Sequence, residues 1–254
     1  MKRGDAVGPE VEVLRPGDRV ALLSSHAYAE YDICRANELV KIPAALDSAP
    51  FPGEPLGCAM NIFKRSAIRS GDNVAIVGIG FLGALLTQLA TNAGAKVIAI
   101  SRRHEPLAIA RQFGASETIQ STDPDQVKRI VAEVTFGRGC ECVIEVVGKQ
   151  SALDLATELT CERGRLVIAG YHQDGPRQVN MQLWNWRGLD VVNAHERDLA
   201  RYTEGLRAAL AAIARGALDP RELTTHAFRL EELGDALEAT RSKPDGFLKA
   251  VVLP

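Results

Sequence analysis

Hydrophobic and polar positions along this chain fall into two rhythms. From Asn73 onward, short apolar runs rich in β-branched residues alternate with longer stretches in which apolar positions recur at helical spacing. The runs occupy residues 73–78 (NVAIVG), 96–101 (KVIAIS), 142–148 (CVIEVVG), 165–170 (RLVIAG) and 190–194 (DVVNA). The helical stretches between them lie at 82–93, 104–113, 124–135 and 150–161. A run of about four to six apolar residues suits a strand buried on both faces, and a crossover of ten or more residues, commonly a helix, returns the chain to start a parallel neighbour. The pattern predicts an α/β domain with a doubly wound parallel sheet of the Rossmann type. Beyond it the chain predicts a helix at 198–215, a strand at 223–229, a helix at 230–241 and a closing strand in FLKAVVL.

The first 47 residues have a different texture. RVALLS, AYAEYDIC and ELVKIP are short alternating segments separated by turn residues, and they predict small antiparallel strands. The stretch DSAPFPG at 47–53 is dense in proline and glycine and reads as a linker. A helix is expected at once after it, with Pro55 in its first turn and Leu56, Met60, Ile62, Phe63 and Ile68 at roughly helical intervals. The expected organisation is a small β domain at 1–49, a nucleotide-binding domain at 50–219 and a return segment at 220–254.

Composition narrows the function classes. The chain has 254 residues, 46% hydrophobic and 24% charged, which excludes a disordered or fibrous protein and supports a core without covalent staples. Thirty basic against 32 acidic side chains, a net charge of -2, give no electrostatic pull toward nucleic acid or an anionic membrane. The five cysteines, Cys34, Cys58, Cys140, Cys142 and Cys161, include no CxxC pair and read as buried free thiols. The N-terminus lacks the apolar stretch of a signal peptide, and no apolar run reaches membrane-spanning length. The expected location is the cytoplasm.

The clearest chemical signal is Gly78-Ile79-Gly80-Phe81-Leu82-Gly83, a GxGxxG that closes a strand and opens a helix. Gly78 allows the tight turn, Gly80 lets backbone approach a pyrophosphate, and Gly83 lets the helix lie close to the strand. Amides at the helix N-terminus then hold the phosphate charge. Gly148, closing the third run, is placed with this cofactor set. The second run ends in Ser101-Arg102-Arg103, where an NAD enzyme would carry an acidic residue for the ribose hydroxyl. A hydroxyl followed by two guanidinium groups favours the 2′-phosphate of NADP(H) over NAD(H).

With these residues in place, the chain resembles the medium-chain dehydrogenase/reductase family, the zinc-type alcohol dehydrogenases and their zinc-free relatives. The resemblance is carried by RPGDRVA (15–21), AYAEYDI (27–33), LVKIP (39–43), GEPLGCAMN (53–61), SGDNVAIVGIGFLGALLTQLA (70–90), GAKVIAISRR (94–103), ARQFGA (110–115) and GFLKAVVLP (246–254). It implies a nucleotide-binding domain inserted into a truncated GroES-like β domain, and a homodimer formed through the DVVNA strand. It also implies a departure. Zinc-type members bring a catalytic cysteine and a Gly-His-Glu motif from strands ahead of the GDRV segment, and here only sixteen residues precede Gly17. A catalytic zinc needs three protein ligands, so no metal is expected.

In the polyol dehydrogenase branch the glutamate matching Glu54 faces the metal site, so Glu54 is either a proton-transfer group or simply an anion at a helix start. Cys58, one turn later, reads as packing. Polar residues gather after the fourth and fifth runs, around Tyr171 and His172 and around His195 and Asp198. Loops beyond the carboxyl ends of such strands line the ligand crevice. His172 and His195 are therefore candidate proton donors, the plainer reading being loop caps, with Asp198 an N-cap. Trp184 and Trp186 are expected either over the cofactor or at a subunit interface. The expected function is hydride transfer between NADP(H) and a small carbonyl, alcohol or enoyl substrate without catalytic zinc. The alternatives are the C-terminal part of a zinc-dependent alcohol dehydrogenase and a non-catalytic NADP(H)-binding protein.

Overall fold

A computed structural model of the chain describes residues 2–24, 26–46 and 50–253. In chain order its elements are β1 (Lys2–Arg3), β2 (Arg19–Leu22), β3 (Leu39–Lys41), α1 (Gly53–Ser66), β4 (Asn73–Val77), α2 (Phe81–Asn92), β5 (Lys96–Ser101), α3 (His104–Gln112) and β6 (Glu117–Gln120). Then follow α4 (Pro124–Val134), β7 (Cys140–Glu145), α5 (Gln150–Leu159), β8 (Thr160–Ile168), α6 (Met181–Arg187), β9 (Asp190–Asn193), α7 (Leu199–Ala214), β10 (His226–Arg229), α8 (Leu233–Ser242) and β11 (Ala250–Leu253). The chain divides into two compact units, one of residues 62–195 and one that joins residues up to Asn61 to those from Glu196 onward.

The continuous unit is a six-stranded sheet in the order β6-β5-β4-β7-β8-β9, every neighbouring pair parallel. β4 lies inside the sheet, and all five of its residues are buried, as its apolar run requires. Helix α2 is apolar around most of its circumference because it packs centrally, with nine of its twelve residues buried. The Thr87 and Thr91 hydroxyls donate back to the carbonyls of Gly83 and Thr87, so neither leaves a polar group unpaired inside. Ile98, Ile100, Val143 and Leu166 of the strands pack with Val127 and Val131 of α4 and Leu153 and Leu159 of α5. Asp123 caps α4, its carboxylate accepting from the Asp125 amide, with Pro124 in the first turn. The order of strands reverses about β4, so the crevice at its carboxyl end is the topological switch point.

Two elements of this unit escape the hydrophobic pattern. β6 reads ETIQ and buries only Ile119 fully, because it is an edge strand. α6 is seven residues long, capped by Asn180, whose side chain accepts from the Leu183 amide, and closed by Gly188 in the left-handed conformation. Two strands also begin earlier than expected, at Cys140 and Thr160, and residues 146–148 form a turn rather than strand.

In the other unit β1, β2 and β3 form an antiparallel sheet, and β10 and β11 pair in parallel on either side of α8. Of the three strands expected before residue 47, RVALLS and ELVKIP yield β2 and β3, while AYAEYDIC forms no strand. Tyr28, Tyr31 and Ile33 there are exposed, Ile33 at 97%, so the alternation has no core to face. Tyr202 and Leu206 of α7 lie against Gly53 and Gly57 of α1. That packing assigns the start of α1 and all of α7 to this unit, so the divisions fall after Asn61 and before Glu196 rather than at 49/50 and 219/220. The expected linker falls partly on residues 47–49, which lie outside the described residues.

Candidate active site

The turn between β4 and α2 stands at the switch point. Gly78 has φ +105°, and a Cβ there would come within 2.5 Å of Val147 Cγ2, so this position needs glycine for both conformation and space. A Cβ on Gly83 would stand 2.2 Å from the Gly78 carbonyl oxygen, which is how closely α2 approaches the strand end. Gly80 is different. It is extended, with φ −120° and ψ −155°, and a Cβ there would meet nothing within 4 Å. As the residue before α2, Gly80 has no side chain with which to cap it. The space beside Gly80 thus lies at the positive end of the helix dipole, where the helix begins with Phe81 and Leu82, the arrangement that accepts a phosphate.

At the end of the neighbouring strand, Ser101 Oγ accepts the Arg103 amide at 3.2 Å and shapes the turn into α3. Arg102 is exposed and Arg103 half-buried. A hydroxyl and two guanidinium groups thus stand at the carboxyl end of β5, the place at which such folds recognise the adenosine ribose.

On the other side of β4, a charged chain runs through the ends of β7 and β8. Glu145, wholly buried, accepts the Val147 and Gly148 amides on Oε1 at 2.6 and 2.7 Å, and His172 Nε2 lies 2.9 Å from its Oε2. Arg177 Nε donates to His172 Nδ1 at 2.8 Å, and Arg177 Nη2 donates to the Gly148 carbonyl at 2.9 Å and to Asp174. Lys149 Nζ also reaches Asp174, at 2.5 Å. Lys149 and Arg177 hold the Asp174 carboxyl well below the ordinary carboxylate range. His195 lies at the end of β9, exposed, its ring stacked on Tyr171 with centroids 5.3 Å apart. Among the described residues no hydrogen bond engages either of its ring nitrogens.

Glu54 belongs to the other unit. Its Oε1 accepts the Cys58 thiol at 3.1 Å, and Tyr202 Oη lies 3.7 Å from the same sulfur. Burial and then the Glu54 charge push the Cys58 thiol up to about 12, and burial and then Cys58 push the Tyr202 hydroxyl up too. Cys58 is therefore a protonated hydrogen-bond donor to Glu54 rather than only a packing group. A catalytic zinc takes three protein ligands; among the described residues no three His, Cys, Asp or Glu side chains form a group that could hold a metal ion.

The remaining candidates divide. Trp184 donates from Nε1 to Thr157 Oγ1 at 3.2 Å and packs on the core beside α5. Trp186 is 85% exposed and lines a cavity of about 420 Å³ with Lys128, Arg138 and Cys161. Cys140 and Cys142 are buried as expected, while Cys34, Cys58 and Cys161 are only partly so. Sequence reading passed over Glu145, Lys149, Arg177 and Tyr202. A signal existed for Glu145, because a carboxylate inside the apolar run CVIEVVG must find donors when that run is buried.

The sequence model of the family described as zinc-binding dehydrogenase matches residues 82–215, more than half of the chain. The chain belongs to this family. Among curated relatives of this dehydrogenase-family chain, the 2-dehydro-3-deoxy-L-galactonate 5-dehydrogenase of Pseudoalteromonas atlantica is 27% identical over 221 residues, covering 86% of this chain and 62% of that protein. The L-threonine 3-dehydrogenase of Bacillus subtilis is 30% identical over 232 residues, 89% of this chain and 64% of that protein. The chain thus spans a little under two thirds of the length of these relatives. A solved structure described as a putative zinc-binding dehydrogenase from Sinorhizobium meliloti bound to NADP matches with a TM-score of 0.81 and 25% identity, covering 98% of this chain and 80% of that one. The medium-chain dehydrogenase/reductase resemblance and the α/β Rossmann-type fold therefore stand.

Proposed function

We propose that this chain serves an oxidoreductase that binds NADP(H) in preference to NAD(H) and transfers hydride to or from a small carbonyl, alcohol or enoyl substrate. The observation that carries the reading is the glycine turn at the start of α2, with free space beside Gly80 at the switch point, and Ser101, Arg102 and Arg103 at the end of the adjoining strand. The bound nicotinamide supplies the hydride. The chain's part is to seat the diphosphate on the turn at Gly78, Gly80 and Gly83, to neutralise the 2′-phosphate with Arg102 and Arg103, and to wall the crevice with the turn at Gly148. His195 has both ring nitrogens available to hold or move a proton among the described residues, which favours it over His172, whose nitrogens are both engaged. In the other unit, the Glu54 carboxylate beside the Cys58 and Tyr202 hydrogens is a second place where a proton can be held.

We read the reaction as one in which His195 or Glu54 holds the proton without the help of a catalytic zinc. A homodimer through β9, an edge strand of the sheet, and a cytoplasmic location with free thiols complete the proposal. Titration calorimetry of the full chain with NADPH and NADH tests the cofactor, with at least tenfold tighter NADPH binding expected. NADPH oxidation over a panel of carbonyl and enoyl acceptors, with zinc measured in the same sample, tests the chemistry. Absence of binding to either dinucleotide overturns the reading, and activity that tracks stoichiometric zinc overturns its zinc-free part.

A further inference from the structure

His172, Glu145 and Arg177 hold one another in an arrangement that does more than fill the end of the sheet. A guanidinium can only donate, so Arg177 Nε–H fixes His172 Nδ1 as an acceptor and leaves the ring hydrogen on Nε2, aimed at Glu145 Oε2. With its Nε2–H given to Glu145 and Nδ1 taken by Arg177, the ring has no proton to offer elsewhere. Glu145 passes the restraint on, because its other oxygen accepts the amides of Val147 and Gly148. Arg177 closes the circuit by donating to the Gly148 carbonyl. Gly148 is thus gripped at both its N–H and its C=O. Space around it is equally determined: Gly148 has φ +78°, and a Cβ on Gly170 would lie 2.2 Å from the Gly148 nitrogen and 2.6 Å from Glu145 Oε2. Val147, held by the same carboxylate, has its side chain against Gly78, the first glycine of the phosphate turn.

We propose that Glu145, His172 and Arg177 form a latch that fixes the turn at Val147 and Gly148 against Gly78 and so sets affinity for the nicotinamide half of a dinucleotide, His172 being a positioning residue rather than a proton donor. The inference rests on the cofactor reading above and deepens it. In a doubly wound sheet the two nucleotide halves lie on opposite sides of the switch point. Ser101, Arg102 and Arg103 stand on the β5 side, and the latch on the β7 and β8 side. A loosened latch therefore weakens NADPH while sparing a ligand that occupies only the adenosine side.

The test uses the full-length chain and two ligands, NADPH and adenosine 2′,5′-bisphosphate. Arg177→Met removes the donors that engage His172 and Gly148, and Arg177→Lys restores one. His172→Leu cuts the chain at the ring, and His172→Gln offers a donor and an acceptor again. NADPH affinity is expected to fall about tenfold or more in Arg177→Met and His172→Leu, with the bisphosphate within about twofold of wild type and partial recovery in Arg177→Lys and His172→Gln. Hydrogen exchange of the peptide containing Val147 and Gly148, measured without ligand, is expected to accelerate in the two disruptive variants. Equal losses for both ligands, or no loss for NADPH, overturn the latch. If the wild-type chain binds neither ligand, the cofactor reading fails and the coupling to cofactor falls with it. Unchanged exchange in Arg177→Met separately overturns the claim that the chain of bonds holds the turn.

Discussion

Gly80→Ala separates a ligand's needs from the fold's. At this position the backbone is extended, in a region open to any L residue, and an added methyl meets no atom within 4 Å. The folded chain therefore tolerates alanine, and because alanine restricts the unfolded chain the variant gains about 0.4–1 kcal/mol. For a chain of this size that is a rise of roughly 1–4 °C in Tm. A diphosphate on the N-terminal turn of α2 must bring its oxygens to about 2.9 Å from backbone nitrogens, so the methyl stands in its path. Losing or stretching one charge-assisted hydrogen bond costs about 1.5–3 kcal/mol, or about 10- to 150-fold in Kd. Calorimetric titration with NADPH and a thermal melt of the same sample read both effects. A variant that binds NADPH as tightly as wild type refutes phosphate docking at this turn. One that melts several degrees lower refutes the argument that the space is open.

Gly83→Ala should behave in the opposite way: its Cβ would stand 2.2 Å from the Gly78 carbonyl oxygen, where ordinary contact begins near 3.4 Å, so α2 must shift by about 1 Å. Overpacking of about 1–3 kcal/mol then outweighs a helix-propensity gain of up to about 1 kcal/mol, and a lowered Tm in differential scanning calorimetry is the expected reading. Alkaline solution should destabilise the fold, because burial pushes the thiols of Cys58, Cys140 and Cys142 up to about 12 from an ordinary 9.0. The unfolded chain releases these protons first, so stability is full below about pH 9 and declines toward pH 12 by about 1.4 kcal/mol per unit per thiol. Urea denaturation across pH 8–10.5 measures the slope, which Cys142→Ala should make shallower. Arg102→Ala is expected to weaken NADPH about fivefold, as an exposed charge contact allows, while NADH stays within about twofold; equal loss of both would mean that Arg102 does not meet the 2′-phosphate.

The inner strands β4, β5, β7 and β8 were legible because burial writes them as continuous apolar runs, and β9, an edge strand with no fully buried residue, was read from the short run DVVNA. β6 was not, because an edge strand with only Ile119 fully buried carries too little apolar signal. AYAEYDIC misled for the converse reason, since alternation without a core to face is not a strand. In the site, the glycines could be read because backbone conformation and close approach leave few other choices at Gly78 and Gly83. The chain through Glu145, His172 and Arg177 could not, because its members come from a strand and a loop separated by 27 and 5 residues, and only the fold makes them neighbours.

The interrupted course of the unit that holds β2, β3 and α7 has a consequence for assembly. Its two pieces are separated along the chain by the whole of residues 62–195, and bringing them together unaided would incur the entropy of closing a long loop. The intervening stretch removes that penalty when it condenses. Arg65, near its beginning, donates from Nη1 to the carbonyl of His195 at its end, 3.5 Å away, and its own carbonyl accepts from Arg165. Once the parallel sheet is formed, the two flanking pieces therefore leave it from one spot, and joining them closes no further long loop.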